Sequence, residues 1–163
     1  MRRPAAAAGS ALFFALVPGV VAGLVPGLLT GWWEDGPWWG PLRVAGVVLV
    51  AAGAAVLVHS FGRFVVEGLG TPAPVAPTER LVVGGLYRHV RNPMYVAVTA
   101  AIAGQALIVG SAALAAYGAA IWAACAAFVR LHEEPALSRR FGAGYDAYRR
   151  AVPAWLPRLR PWR

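Results

Sequence analysis

Residues 95–129 read YVAVTAAIAGQALIVGSAALAAYGAAIWAACAAFV, and this stretch decides the fold. It contains no Asp, Glu, Lys or Arg. We interpret it as a hairpin of two apolar helices, residues 95–109 and 112–129. A helical hairpin returns its two ends to the same side of a bilayer, so polar residues on both flanks can converge at the membrane surface.

Polar residues do flank the hairpin on both sides. The sequence RHVRNPM occupies residues 88–94 before it, and RLHEEP occupies residues 130–135 after it. Side chains nearly forty residues apart along the chain are therefore expected to share one site. A site of this composition at a membrane surface indicates an enzyme.

The composition agrees with a membrane protein. Hydrophobic residues make up 59% of the chain and charged residues 13%. Two further apolar runs, residues 11–29 and 44–61, also contain no Asp, Glu, Lys or Arg. Runs of about 20 apolar residues cross the roughly 30 Å hydrocarbon core as helices. The alternative for the first run, a cleavable signal peptide, lacks a clear A-x-A site.

The sequence thus predicts an all-α integral membrane protein, with four transmembrane helices and a cytoplasmic amphipathic helix at the C-terminus. We expect one membrane domain over residues 1–163. Its four parts are two N-terminal spans, a cytoplasmic loop with the polar motif, the helical hairpin and a cytoplasmic C-terminal segment, at residues 1–61, 62–94, 95–129 and 130–163.

The positions of the arginines orient the chain. All fifteen basic residues are Arg, and only Arg43 lies in or beside the link between the first two spans. Because cytoplasmic segments are enriched in basic residues, both termini are predicted to be cytoplasmic, in what is expected to be a bacterial inner membrane. The opposite surface would hold an aromatic belt or, alternatively, a binding site, formed by Trp32, Trp33, Trp38 and Trp39.

The net charge of +8 also raises the possibility of nucleic acid as a partner. The arginines are clustered beside the spans, however, so anionic lipid headgroups are the expected partner and nucleic acid is not. No metal site is expected, because the histidines lack the spacing of a helical metal pair and Cys125 is the only cysteine. The sequence does not predict the oligomeric state.

Two segments outside the spans have open interpretations. The Pro-rich residues 70–77 form either a linker or a loop at the entrance to a site. After the fourth span, a break at Pro135 is expected to start a helix along the membrane, bent near Gly142 and Gly144. That helix is either an amphipathic surface helix or a lid over the site. Its apolar face would comprise Leu137, Phe141, Tyr145, Tyr148 and Val152.

The ordered motifs resemble one known family. The sequence GLY at 85–87, RNPMY at 91–95, the hairpin, and then Glu133, Glu134 and the apolar face of the C-terminal helix look like the isoprenylcysteine carboxyl methyltransferase family and its bacterial relatives. These relatives also resemble phospholipid N-methyltransferases. The resemblance covers about residues 70–157.

This resemblance implies S-adenosylmethionine as the cofactor and a lipophilic substrate that arrives from the bilayer. It implies cofactor binding by the 91–95 segment and by the region of Glu133 and Glu134. Many relatives have His at the position of Asn92, so a role for an imidazole there is in doubt, although His89 lies three residues earlier.

The chemistry of methyl transfer suggests roles for these residues. Methyl transfer from a sulfonium mainly needs two positioned reactants and the exclusion of water. An arginine fork suits the carboxylate of the cofactor, and Arg91 is the first candidate. Glu133 or Glu134 would bind ribose hydroxyls or the amino group. The full set of expected cofactor-binding residues is Tyr87, His89, Arg91, Asn92, Pro93, Tyr95, Glu133 and Glu134.

Arg91 and Glu134 are the predicted catalytic residues, because Glu134 directly precedes the expected break at Pro135. The alternative is that the two form only a structural pair. Two other functional classes are possible. A small multidrug-type transporter would need an ionisable residue within a span, and a nicotinamide-dependent membrane reductase usually has more spans. The substrate, and whether its acceptor atom is oxygen, nitrogen or sulfur, cannot be predicted from the sequence.

Overall fold

A computed structural model describes residues 12, 17–31, 40–63, 66 and 81–162. All regular secondary structure within these residues is helical, which confirms the predicted all-α class. A 3₁₀ turn covers Gly85–Arg88. The helices are α1 at Val17–Thr30, α2 at Gly40–Arg63, α3 at Pro93–Val109, α4 at Ala112–Phe141 and α5 at Ala143–Ala151.

Two of these helices, α2 and α4, are long and apolar enough to cross a membrane. Helices α1 and α3 are also apolar, but their described lengths are shorter. The prediction of four spans therefore stays a prediction. The predicted aromatic belt (Trp32, Trp33, Trp38, Trp39) and the Pro-rich residues 70–77 lie outside the described residues.

Helices α2 and α3 pack closely because glycines face each other across their contact. A Cβ atom built on Gly46 would lie 2.5 Å from the backbone oxygen of Gly104, and one built on Gly104 would lie 2.6 Å from that of Gly46. Gly53 repeats the pattern two turns along α2, with 2.8 Å to the backbone oxygen of Ala97. Small residues at a helix contact let backbones approach, which is how apolar helices gain packing energy without water to drive them together.

Helix α1 is distorted at a π turn, Val20–Leu24, next to Pro26. A π turn and a proline both leave carbonyl groups without their usual α-helical donor. Side chains of the hairpin supply the missing donors: Gln105 Nε2 donates to Ala22 O at 2.7 Å, and Tyr117 OH donates to Val21 O at 2.9 Å. These two bonds fix α1 against α3 and α4.

The predicted break at Pro135 is wrong. Helix α4 continues through this proline to Phe141. The preceding turn, Val129–Glu133, is a π turn in which the N–H of Glu134 donates to Val129 O. The change between the two hydrogen-bond registers coincides with Pro135, which has no N–H to donate, so the helix is not interrupted.

The break occurs instead at Gly142, which has φ +53° between α4 and α5. A positive φ is readily adopted by glycine, and it lets the chain turn so that α5 folds back. The five residues of the predicted apolar face then lie in one cluster, packed also against Leu81, Val83 and Trp162. Whether α5 lies on the cytoplasmic surface stays a prediction.

Candidate active site

The 3₁₀ turn before α3 positions the first polar motif. It begins at Gly85, where φ is +57° and an added Cβ would lie 2.5 Å from His59 Nε2 of α2. A substitution there would be strained by the positive φ and would displace the side chains of His59 and Arg63. The tight turn buries Tyr87 and brings Arg91 and Asn92 to the start of α3.

Arg91 connects the two flanks of the hairpin. Its Nη1 donates to Glu134 Oε1 at 2.6 Å and to Tyr145 OH at 3.2 Å, and its Nε donates to Val152 O at 2.9 Å. The side chains of Arg91 and Glu134 are only 11% and 12% exposed. A charged pair so removed from water needs this many partners to offset the cost of desolvation.

Glu133 faces a different direction from Glu134. Its Oε2 accepts a hydrogen bond at 3.1 Å from the hydroxyl of Tyr95, which lies in the first turn of α3. The second oxygen of Glu134 lies 3.5 Å from Arg149 Nε. The two adjacent carboxylates are thus held separately, Glu133 by a phenol and Glu134 by two guanidinium groups.

Two cavities meet at a common set of polar residues. The first, which we call the helix cavity, has a volume of about 220 Å³ and is walled mainly by apolar residues of α1, α3 and α4. The second, the tyrosine cavity, has a volume of about 80 Å³ and lies under α5, against Tyr145 and Tyr148. The residues that line both cavities, here called the polar wall, are Tyr87, Arg91, Asn92 and Glu133.

Six of the eight residues predicted to bind the cofactor line the helix cavity. They are the four residues of the polar wall together with Pro93 and Tyr95. The other two lie apart from both cavities. The His89 ring nitrogen Nδ1 is 2.8 Å from Arg158 O, and Glu134 lines a separate surface pocket.

The segment that covers the first motif was not predicted from the sequence. Residues 152–162 run beside residues 88–92, and we call them the C-terminal strap. Backbone bonds join Arg91 N to Pro153 O, Arg158 N to His89 O and Trp162 N to Arg88 O at 2.9 to 3.0 Å. Asn92 Nδ2 also donates to Ala154 O at 3.2 Å. Backbone carbonyls carry no residue-type signal, so no pattern could have predicted these contacts.

The buried tyrosines of the site remain hydrogen-bond donors. Burial raises the pKa of Tyr145 above its ordinary value, against the opposing effect of the Arg91 guanidinium. Burial likewise raises the pKa of Tyr148, whose hydroxyl donates to Tyr87 O at 2.6 Å, and that of Tyr87 itself. All three phenols are therefore protonated throughout the neutral pH range.

Comparison with known families agrees with the sequence resemblance. The family model described as phospholipid methyltransferase matches residues 42–144. The match begins within α2 and ends at the start of α5, so it includes both flanks of the hairpin but not the C-terminal strap. No curated protein and no solved structure matches the chain.

Proposed function

The chain belongs to the phospholipid methyltransferase family, and on that basis we propose that it transfers a methyl group from S-adenosylmethionine to a lipophilic acceptor at the cytoplasmic membrane surface. The family itself implies a membrane methyltransferase that acts on lipid-like molecules. The cofactor, the membrane face and the roles of individual residues are our proposal.

The observation that carries this proposal is the polar wall between the two cavities. Four polar side chains have an apolar cavity on one side and an aromatic cavity on the other. A lipophilic acceptor would enter the first from among the apolar helices, and the cofactor would reach the polar wall from the side of the second, whose volume of about 80 Å³ holds only part of it. The acceptor and the methyl group of the cofactor would then meet at the polar wall, out of contact with water. A displacement reaction requires two reactants that are positioned together in this way.

The residues present fit S-adenosylmethionine. Among the described contacts, Arg91 uses Nε and Nη1 but not Nη2, and Glu133 uses Oε2 but not Oε1. A donor and an acceptor therefore remain for the carboxylate and the amino group of an amino-acid moiety.

When bound, S-adenosylmethionine would supply an electrophilic methyl group on a sulfonium. The protein's part is to bind, orient and keep water out. The apolar side chains Val98 and Ile121 line the helix cavity and would exclude water from it. Glu133 is the only carboxylate among the described residues that line this cavity. Its free oxygen, Oε1, would bind the amino group of the cofactor and so orient the cofactor toward this cavity.

In this proposal Glu134 is a positioning residue and not the catalytic residue that the sequence predicted. Glu134 lies outside both cavities and bonds to Arg91. It would act as a positioning residue, because it fixes the guanidinium that contacts the cofactor. Arg91 remains the residue proposed to touch the cofactor directly.

Radiolabel transfer tests the proposal. The purified protein in nanodiscs would be incubated with methyl-labelled S-adenosylmethionine and a bacterial lipid extract, and label would be counted in the organic phase. We expect transfer by the wild type and loss of at least tenfold in Glu133→Gln. The matched control, Arg139→Gln, changes an exposed residue that lines none of the described cavities and should retain the wild-type rate.

A second measurement separates binding from transfer. Thermal stability would be followed with S-adenosylhomocysteine and with a reduced nicotinamide nucleotide. Stabilisation by the first alone supports the proposal. Stabilisation by the nicotinamide nucleotide alone would overturn it and favour a membrane reductase.

A further inference from the structure

The helix cavity has one open side. Among the described residues that line it, only two are exposed, Val17 of α1 and Ala124 of α4. The opposite wall is closed, because Leu57 of α2 and Val98 of α3 belong to the buried core. The cavity therefore opens between α1 and α4. We call this opening, which is bounded by Val17 and Ala124, the lateral gap.

One end of the lateral gap is closed by a side-chain hydrogen bond. Tyr117 lies about two turns before Ala124 on α4, and its hydroxyl donates to Val21 O of α1 at 2.9 Å. Val21 lies about one turn after Val17, so the two helices run in opposite directions along the gap. Toward its other end, the cavity reaches Glu133 of the polar wall. The gap thus lies between a fixed helix contact and the proposed site of methyl transfer.

The helices on both edges of the lateral gap are apolar. The segment Val17–Thr30 of α1 and the residues of α4 from Ala112 to Val129 contain no Asp, Glu, Lys or Arg. Exposed apolar side chains on helices of this composition are expected to face lipid. A hydrocarbon chain that passed between Val17 and Ala124 would therefore come from the bilayer, and it would reach the cavity without exposure to water.

The volume of the cavity makes its open side important. The cavity has a volume of about 220 Å³. A water-sized group, which is close to a methylene group in size, occupies about 30 Å³, so the cavity holds roughly seven of them. A lipophilic acceptor with a longer chain would have to leave part of that chain outside. At the lateral gap, the outer part of the chain would remain among lipid.

We propose that the lateral gap is the route by which one hydrocarbon chain of the acceptor enters the helix cavity, and that Ala124 determines the width of the chain that is admitted. The side chain of Ala124 is a single methyl group, and Val17 forms the opposite edge of the gap. A larger side chain at position 124 would narrow the gap, while the four residues of the polar wall would be unchanged. The identity of the occupant as a methyl acceptor rests on the proposed function.

Cys125 can report on this route, because it is the only cysteine of the chain and lines the helix cavity. The full-length protein in nanodiscs would be treated with N-ethylmaleimide, which is narrow, or with N-(1-pyrenyl)maleimide, which is wide. Intact-protein mass spectrometry would measure the rate of modification. Ala124→Phe should slow modification by both reagents about tenfold, since the ring must be pushed out of a filled gap. Val17→Ala should accelerate modification by the wide reagent severalfold.

The matched control is Ala123→Phe. Ala123 is also exposed on α4 and lies two residues from Cys125, but it lines none of the described cavities. In this variant Cys125 should react with both reagents at the wild-type rates. Equal slowing in the two phenylalanine variants would overturn the proposal, because the ring would then shield the thiol from outside the gap. Wild-type rates in both Ala124→Phe and Val17→Ala would overturn it as well.

Methyl transfer gives a second readout. In the radiolabel assay, Ala124→Phe should lose most of its transfer to the lipid extract, whereas its thermal stabilisation by S-adenosylhomocysteine should equal that of the wild type. The cofactor would reach the polar wall from the side of the tyrosine cavity, which Ala124 does not line. Full transfer by Ala124→Phe would overturn the entry route. A wild type that transfers no label would contradict the proposed function alone, and the thiol reaction would still decide whether the gap admits a chain.

Discussion

The hydroxyl of Tyr148 donates a 2.6 Å hydrogen bond to the backbone carbonyl of Tyr87, across 61 residues of sequence. Both residues are buried, with exposed fractions of 3% and 6%. This single bond attaches α5 to the 3₁₀ turn that precedes the Arg91 motif. The geometry of the polar wall therefore depends on a helix that is distant in the sequence.

Replacing Tyr148 with phenylalanine tests this dependence. The ring would still fill its space, but the carbonyl of Tyr87 would lose its donor in a buried position. We expect the free energy of unfolding to fall by about 1 to 2 kcal/mol, measured by denaturant titration. Amide hydrogen exchange should increase at residues 87–91. A change to phenylalanine that leaves both quantities at wild-type values would show that the bond does not hold the turn.

The pair of Arg91 and Glu134 gives a prediction about two separable properties. Arg91→Ala should weaken binding of S-adenosylhomocysteine by about 1.5 to 3 kcal/mol, the cost of a lost charge-assisted bond. It should also destabilise the fold, because Glu134 would remain largely buried with only the exposed Arg149 nearby. Calorimetric binding and thermal unfolding would measure the two effects on one preparation.

Glu134→Gln distinguishes a functional pair from a structural one. If Glu134 positions Arg91 for the cofactor, turnover per folded molecule should fall while the midpoint of thermal unfolding changes little. If the pair is only structural, stability should fall and turnover per folded molecule should stay intact. Intact turnover would reject the positioning role proposed for Glu134.

Helix packing between α2 and α3 gives a third prediction, with an internal control. Gly46→Ala should destabilise the protein by about 1 to 3 kcal/mol, because the new methyl group meets backbone of α3 at 2.5 Å. Gly62→Ala makes the same chemical change in α2 where nothing lies within 4 Å. It should be neutral or stabilising, since alanine favours helix over glycine. Equal effects of the two substitutions on the unfolding free energy would contradict the close contact.

Topology gives a fourth prediction. In a variant with Cys125 replaced by alanine, single cysteines at Gly36 and at Ala143 should react with a membrane-impermeant maleimide from opposite sides of the membrane. The cysteine at position 143 should be accessible from the cytoplasm, because the arginines concentrate on that side. Reaction of both from one side would remove the basis for converging hairpin ends at the cytoplasmic surface.

The sequence predicted the convergence of the hairpin ends for a geometric reason. Two antiparallel helices joined by a short turn bring the chain back to the level from which it started, and the contacts of Arg91 with Glu134 and of Tyr95 with Glu133 agree with this. The apolar spacing of the C-terminal residues likewise predicted which side chains pack together.

The choice between Glu133 and Glu134 could not be predicted in the same way. Neighbouring residues on a helix point about 100° apart, so the assignment depends on the exact rotation of α4. The π turn at Val129–Glu133 changes that rotation just before the two carboxylates. A proline in this position predicts a break, and only the structure shows that the register change lets the helix continue through Pro135.

The C-terminal strap has a consequence for biosynthesis. Arg88 Nε donates to Trp162 O, and Trp162 N donates to Arg88 O, although the two residues are 74 positions apart along the chain. A ribosome would have to add the whole hairpin, α5 and the strap before the first motif could acquire these partners. Until then, the backbone groups of the motif would be hydrogen-bonded to water. The site would therefore be completed late, and a chain that stops before the strap would have inserted helices but an unfinished polar wall.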